Sequence, residues 1–309
     1  MTLHDATLAG SQALPFRRGA GPVPCTELEP LQGQAFVLPA GDAFVTESGT
    51  DAHVYLDGAR RAWREIPDHM DFLAEDSPIR MLKWLEYELY ADRWRSHWAD
   101  AERILDVGAG VGRFALPFLK EGRTVEAVDA DLLSLRTLVS RAAGGPGQLD
   151  VHWTAAWSLP EIEPVDLAIA CEVLCYVPEV DRAMKALVDR LRPGGTLLLS
   201  VEAKWGWACA ADAPDGGLES ALMGPDVLTV GRDTWVRTYD QDDVVALLSR
   251  HGLETVEVMP THYVLDGPLE QVGEVAMGLD RLLDVERRCR AHPVWAPLNR
   301  IWTAVAKKA

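Results

Sequence analysis

Between Arg103 and Val201, short apolar runs alternate with stretches in which apolar side chains recur every three or four positions. The runs at 103–107, 124–128, 151–154, 165–170 and 196–201 are apolar on both faces, as expected of strands covered by helices on two sides. The intervening periodicity predicts helices over about 112–121, 132–142 and 180–191, the last stopped by Pro193-Gly194-Gly195. A helix over 240–251 closed by Gly252, a strand over 253–259 and a last strand over 300–306 complete an α/β pattern with a largely parallel sheet. Between those last strands, Pro268–Cys289 carries an apolar stripe weakened by Gly273 and Gly278. This stripe suits a lid or core role as well as a homodimer interface.

Upstream, Ser77-Pro78 reads as an N-cap followed by proline at the first helical position. Ile79, Leu82, Leu85 and Leu89 then repeat at helical spacing up to about Trp98. This helix also carries Trp84, Tyr87, Tyr90, Trp94 and Trp98, which suits aromatic packing and equally a cap over a ligand. Residues 1–50 hold five prolines and only two weak strand-like runs, 35–38 and 43–46, around the turn Pro39-Ala-Gly-Asp. The expected division is an irregular arm over 1–76, a capping helix over 77–101 and a principal domain over 102–309. Inserts fall at 203–236, rich in Gly, Ala, Asp and Pro, and at 260–297.

Charge narrows the partners. The 309 residues carry a formal net charge of −17, and every third of the chain is acidic. Such a field repels phosphate backbones and anionic membranes, so neither nucleic acid nor membrane is an expected partner. No apolar run reaches the roughly 18 residues a membrane span needs, and the N-terminus lacks the apolar core of an export signal. Five cysteines, an odd and sparse set, suit a reducing cytoplasm. Cys171 and Cys175 could share a helix face, but no further ligands stand in register, so core packing is expected and no metal.

The chemistry concentrates in LDVGAGVG, with Asp129 following 23 residues after Asp106, at the tip of the next predicted strand. Glycines at 108, 110 and 112 allow a sharp turn and close approach of a ligand to the backbone. A dinucleotide loop would want glycine at 113, where this chain has Arg113, and Asp106 sits badly beside a pyrophosphate. An acid ending the second strand can accept the two hydroxyls of a ribose. These requirements describe a cationic nucleoside without phosphates, which S-adenosylmethionine satisfies.

Several segments in order carry a resemblance: ILDVGAGVGRFALPFLKEG, VEAVDADLLSL, TAAWSLP, VDLAIACEVLCYVPEVDRAMKALVDRLRPGGTLLLSVE and VRTYDQDDVVALLSRHGLE. Over roughly Glu102–Met259, plus the terminal strand, the chain resembles the class I S-adenosylmethionine-dependent methyltransferases. The resemblance implies a Rossmann-like, doubly wound, seven-stranded, mostly parallel sheet with S-adenosylmethionine as cofactor and S-adenosylhomocysteine as product. It places Asp106, Gly108 and Gly110 around the methionine portion and Asp129 on the ribose. It places Ala156 and Trp157 at the adenine, and Cys171 and Glu172 beneath the methionine portion and the sulfonium. Ala155 stands where the family commonly has an acid.

Methyl transfer is a displacement at an already activated carbon, so positioning and exclusion of water matter most, and a base is needed only for a protonated nucleophile. His262 and Tyr239 are the catalytic candidates, because both fall in loops where substrates usually bind in such folds. Trp205, Trp207, Tyr176 and Tyr263 are candidates for the acceptor pocket. No Asn/Asp-Pro-Pro-aromatic signature follows the fourth strand, in line with the charge argument against nucleic acid. The expected activity is methylation of an O or N nucleophile, or a carbon, on a small molecule or peptide in a biosynthetic pathway. Two other readings are a rearrangement or cyclisation that uses the bound cofactor without methylation, and a non-catalytic binding homologue.

Overall fold

The apolar runs become the middle of one sheet. The computed structural model describes residues 71–129, 132–177, 180–209, 234–265 and 278–309, with shorter pieces at 16–18, 35–37, 43–48, 51–56, 222, 227–230 and 267. The strands are β1 (Arg103–Val107), β2 (Thr124–Asp129), β3 (Gln148–Trp153), β4 (Val165–Cys171), β5 (Leu191–Glu202), β6 (Leu253–Thr261) and β7 (Ile301–Lys308). Their order is β3-β2-β1-β4-β5-β7-β6, with Phe16–Arg18 adding an eighth strand beside β3. All pair in parallel except β7, which runs antiparallel to both β5 and β6. The Rossmann-like sheet is the one expected. Ile104, Leu105, Val125, Leu167, Ile169 and Leu197 are fully buried in it, each contributing about 1.5–3 kcal/mol by leaving water.

Helices cover this sheet: α1 (Arg80–Trp98), α2 (Ala115–Lys120), α3 (Leu132–Ala142), α4 (Val180–Arg190), α5 (Lys204–Cys209), α6 (Gln241–Arg250) and α7 (Leu279–Ala291). Helix α1 buries Leu85, Glu86, Leu89, Tyr90, Ala91, Trp94 and Trp98. Tyr90 and Trp94 stack at 4.9 Å between ring centroids and meet Phe114 from the glycine loop. The aromatic stripe is therefore packing on its inner side, while Met81 and Trp84 stay exposed. The helix starts later than Ser77-Pro78 suggests. Ile79 holds the N-cap position without a side-chain cap, because the Ser77 carbonyl closes a turn onto the Arg80 N–H at 3.2 Å and Pro78 lies in that turn.

Register decides where chemistry can gather. Val107 pairs with Val128 and Ala170, Asp129 with Trp153, and Cys171 with Ser200. The parallel strands thus end along one edge. Because β7 is reversed, its start, Ile301, lies between Glu202 and Thr261, the ends of β5 and β6. Arg300 and His262 are carried to that same edge.

Three local expectations change. The patternless stretch after β5 opens with α5, where Gly206 separates two tryptophans; a Cβ at Gly206 would collide with the Asn299 carbonyl and the Arg300 nitrogen. The 35–46 hairpin forms with Ala35 opposite Thr46, and Asp51–Leu56 adds a third antiparallel strand. Of the helix expected over 268–289, residues 268–277 lie outside the described residues, and the remainder is seen as α7, which Gly278 precedes. No helix among the described residues is long and apolar enough to cross a membrane.

Gly206→Ala tests the backbone contact between α5 and the approach to β7. The added methyl meets backbone rather than a movable side chain, so the expected loss is about 2–3 kcal/mol, seen as a lower midpoint in urea unfolding. An unchanged midpoint would show that this contact does not constrain the fold.

Candidate functional site

Three chain reversals at the carboxyl edge of β1, β2 and β4 build a cleft of about 190 Å³. After β1 the loop folds back over β2, with the Gly108 and Ala109 N–H groups donating to the Val128 carbonyl at 2.8 and 3.0 Å. Gly108 has φ +74°, and a Cβ there would drive into Val173. Gly110 has φ +53°, and its N–H donates to the Asp129 carboxylate at 2.7 Å. The acid that ends β2 therefore fixes the glycine loop as well as facing the cleft.

Gly108, Asp129, Ala156, Trp157, Cys171, Glu172 and Tyr176 all line this cleft, together with Thr154 and Val173. Asp106 and Gly110 are not among the lining residues. Asp106 is buried beneath the loop, and its Oδ2 has no hydrogen-bond partner among the described residues. Burial pushes its carboxyl up to about 7, with the charge of Asp129 adding to the effect and Arg113 and the Ala115 N–H opposing it.

Glu172 follows β4 in a left-handed conformation, φ +57°, with its N–H donating to the Ser200 carbonyl and hydroxyl at 3.1 and 2.9 Å. Its carboxylate accepts from the Tyr90 hydroxyl at 2.7 Å and from Arg113 at 3.1 Å. Burial alone would raise its pKa. The charges of Arg113 and Lys83 and the Tyr90 hydroxyl outweigh that and hold it well below the usual carboxylate range. Arg113 also pairs with Glu86 at 3.1 Å, and Glu86 accepts from Lys83 at 2.8 Å. A partly buried ionic chain thus ties α1 to the glycine loop and to the end of β4.

A second polar group lies at the ends of β5, β6 and β7. Glu202 accepts from Arg300 at 2.7 Å, with both side chains buried, and the Tyr176 hydroxyl reaches Glu202 at 3.5 Å. The Arg300 guanidinium stands 3.7 Å from the centre of the Trp207 ring. His262, φ +60°, is buried 4.9 Å from the Tyr90 ring. Among the described residues, both His262 ring nitrogens, Trp207 Nε1 and the Tyr239 hydroxyl lack hydrogen-bond partners. Burial, aided by the charges of Arg113, Lys83 and Arg300 and opposed by Glu172, drives His262 down to about 3. Burial likewise raises Tyr239.

The other sequence candidates separate. Trp205 is half-buried on α5 and outside the cleft. Tyr263 lies instead in an apolar cluster with Leu85, Leu89 and Leu282, its hydroxyl donating to the Ala296 carbonyl at 3.0 Å. Cys171 ends a strand and Cys175 sits in the short 3₁₀ turn Leu174–Tyr176, so no helix face joins them. No group of three or more metal-ligating side chains occurs among the described residues.

In the sequence Arg113 stands out only as the residue that breaks a dinucleotide pattern, and Lys83, Glu86 and Arg300 are not among the candidates. Glu86 does leave a signal, since it stands four residues before Tyr90 on the buried stripe of α1. Arg300 left none, because its partner Glu202 is 98 residues away.

A methyltransferase-domain family model matches residues 59–258. A ubiquinone biosynthesis O-methyltransferase of Brucella anthropi is 31% identical over 102 residues, which is 33% of this chain and 41% of that protein. An uncharacterized protein of Mycobacterium tuberculosis is 31% identical over 163 residues, 52% of this chain and 59% of that one. The chain thus spans about half the length of the curated relatives it matches. Among solved structures, an S-adenosylmethionine-dependent methyltransferase of Thermotoga maritima aligns over 78% of this chain and 97% of its own, with 16% identity and a TM-score of 0.51. The N-methyltransferase NodS of Bradyrhizobium japonicum, in complex with S-adenosylhomocysteine, aligns over 78% and 96%, with 15% identity and a TM-score of 0.50. With the family model covering well over half of the sequence, and the glycine loop, the strand-ending acid and the strand order agreeing with it, the chain belongs to the class I S-adenosylmethionine-dependent methyltransferases.

Proposed function

We propose that the protein transfers a methyl group from S-adenosylmethionine to an O or N nucleophile of a small molecule or peptide. The observation that carries this reading is the cleft itself. Its charged lining residues are both acids, Asp129 and Glu172, and Glu172 is held ionised. A cationic nucleoside fits that lining, whereas a dinucleotide's phosphates would be repelled. Trp157, also in the cleft lining, offers an aromatic face for the adenine. The family match and the O-methyltransferase relatives support the same reaction class.

When bound, the cofactor supplies a methyl group activated by a positively charged sulfur. The chain's own part is positioning. Asp129 would hold the ribose while bracing the loop through Gly110, and Ala156 and Trp157 would frame the adenine. Glu172 would supply negative charge near the ammonium and sulfonium. The acceptor would lie beside Tyr176, toward Trp207, Tyr239 and His262, whose buried donors and acceptors have no hydrogen-bond partners among the described residues. An acceptor that hydrogen-bonds there recovers the desolvation cost of those groups. A histidine driven down to about 3 is neutral at any working pH. His262 then acts as a hydrogen-bond acceptor that orients the nucleophile, with little power to remove its proton. Helix α1 closes one side of the edge with Tyr90 and Trp94 and keeps water from it.

Asp129→Ala removes both the ribose acceptor and the brace on Gly110. Losing hydrogen bonds to a charged group at about 1.5–3 kcal/mol should weaken S-adenosylmethionine binding at least tenfold in a calorimetric titration. Undiminished affinity would move the ribose elsewhere. Incubating the protein with methyl-labelled cofactor and candidate acceptors, with mass detection, then tests the transfer itself.

His262 also makes a pH prediction. Its folded pKa is depressed to about 3, while the unfolded imidazole titrates near its model value of 6.5. As pH falls below 6.5 the unfolded chain takes up a proton that the native state refuses, so stability is lost toward acid. The melting temperature of His262→Asn should therefore fall less steeply between pH 7 and 5 than that of the parent. Parallel slopes would show that His262 is protonated in the native protein.

A further inference from the structure

A second cleft, of about 990 Å³, opens on the other side of Arg113, between the start of α1 and the residues around α2. The charged side chains that line it are Arg80, Lys83, Arg113, Lys120 and Arg141, all basic. Lys83 and Arg113 are neutralised by Glu86 and Glu172, and Arg141 pairs with Asp71 at 2.6 Å. Arg80 and Lys120 are exposed and have no ion pair among the described residues. Beside them stands Trp84, 43% exposed, with Met81, 62% exposed, on the same helix. An indole left open to water next to uncompensated cations is a surface for a flat apolar group that carries negative charge.

We propose that this cleft binds a small amphipathic carboxylate, its anionic end on Arg80 and Lys120 and its flat apolar body against Trp84. The overall charge of −17 favours a small ligand over a polyanion. At physiological ionic strength charges are screened beyond about 8 Å, so a small anion within the cleft senses chiefly the local cations. A nucleic acid would extend past them into the acidic surface. This ligand class is separate from the cofactor, whose cationic groups suit the acidic cleft on the far side of Arg113. The proposal does not depend on which acceptor is methylated.

The test is calorimetric titration of the full chain with 1-naphthoate, in the absence and in the presence of excess S-adenosylhomocysteine. The expected result is binding that persists with S-adenosylhomocysteine and weakens at least tenfold for neutral 1-naphthalenemethanol. It should weaken similarly in the Arg80→Gln/Lys120→Gln double variant and in Trp84→Ala. Lys185→Gln, which removes an exposed lysine of α4 paired with Asp189, should leave it unchanged. All three variants alter exposed side chains, and an unchanged melting temperature confirms that they fold. Equal affinity for the neutral analogue, indifference to the double variant, or tighter binding of a single-stranded oligonucleotide would overturn the proposal. Competition by S-adenosylhomocysteine would also overturn it, since naphthoate would then be reporting the cofactor's cleft. If S-adenosylhomocysteine fails to bind while naphthoate binds as expected, the methyltransferase reading fails and this one stands.

Discussion

The Arg113 guanidinium, held between Glu86 and Glu172, is the interaction on which the site depends. It joins three elements remote in sequence: α1, the glycine loop and the end of β4. Burying such charges costs several kcal/mol per ion and is tolerated only when every charge is matched. Here the matching is nearly complete, with Lys83 on Glu86 and the Tyr90 hydroxyl on Glu172. Removing Arg113 would leave the buried Glu86 and the partly buried Glu172 without the cation they share. The network therefore ties α1 to the glycine loop and to the end of β4.

The reversed strand β7 sets the other side. Because it enters between β5 and β6 from the carboxyl edge, the residues that precede it arrive beside the residues that end its neighbours. Glu202, Arg300 and His262 meet for that topological reason. Close passage of α5 against Asn299, through Gly206, then sets Trp207 onto Arg300. Beside them, both His262 ring nitrogens and the Trp207 Nε1 are buried without a hydrogen-bond partner among the described residues. Such groups are expensive to bury.

Much of this was legible in the residues. The strands of the parallel half announced themselves as runs apolar on both faces, and helix 132–142 matched its periodicity residue for residue. The glycine loop and Asp129 were found because their chemistry is local: a turn needing positive φ, and an acid one strand away. Less was legible where the signal is not periodic. Helix α5 escaped because a glycine between two tryptophans spoils helical patterning, although that glycine is what lets the backbones touch. Ser77-Pro78 read as a helix start because capping chemistry and turn chemistry use the same residues.

The sequence alone determined the layered α/β sheet with its parallel core and the acidic, phosphate-free character of the cofactor cleft, since these follow from short-range patterns of burial and turn formation. Only the tertiary structure decided which charges meet. Arg113 with Glu86 and Glu172, and Arg300 with Glu202, join residues 27, 59 and 98 positions apart. It also turned His262 from a titratable loop residue into a buried neutral ring, and drew Tyr263 away into an apolar cluster. Charge partners and burial depend on which segments end up adjacent, and adjacency is set by the packing of the whole sheet. No local pattern of residues encodes that.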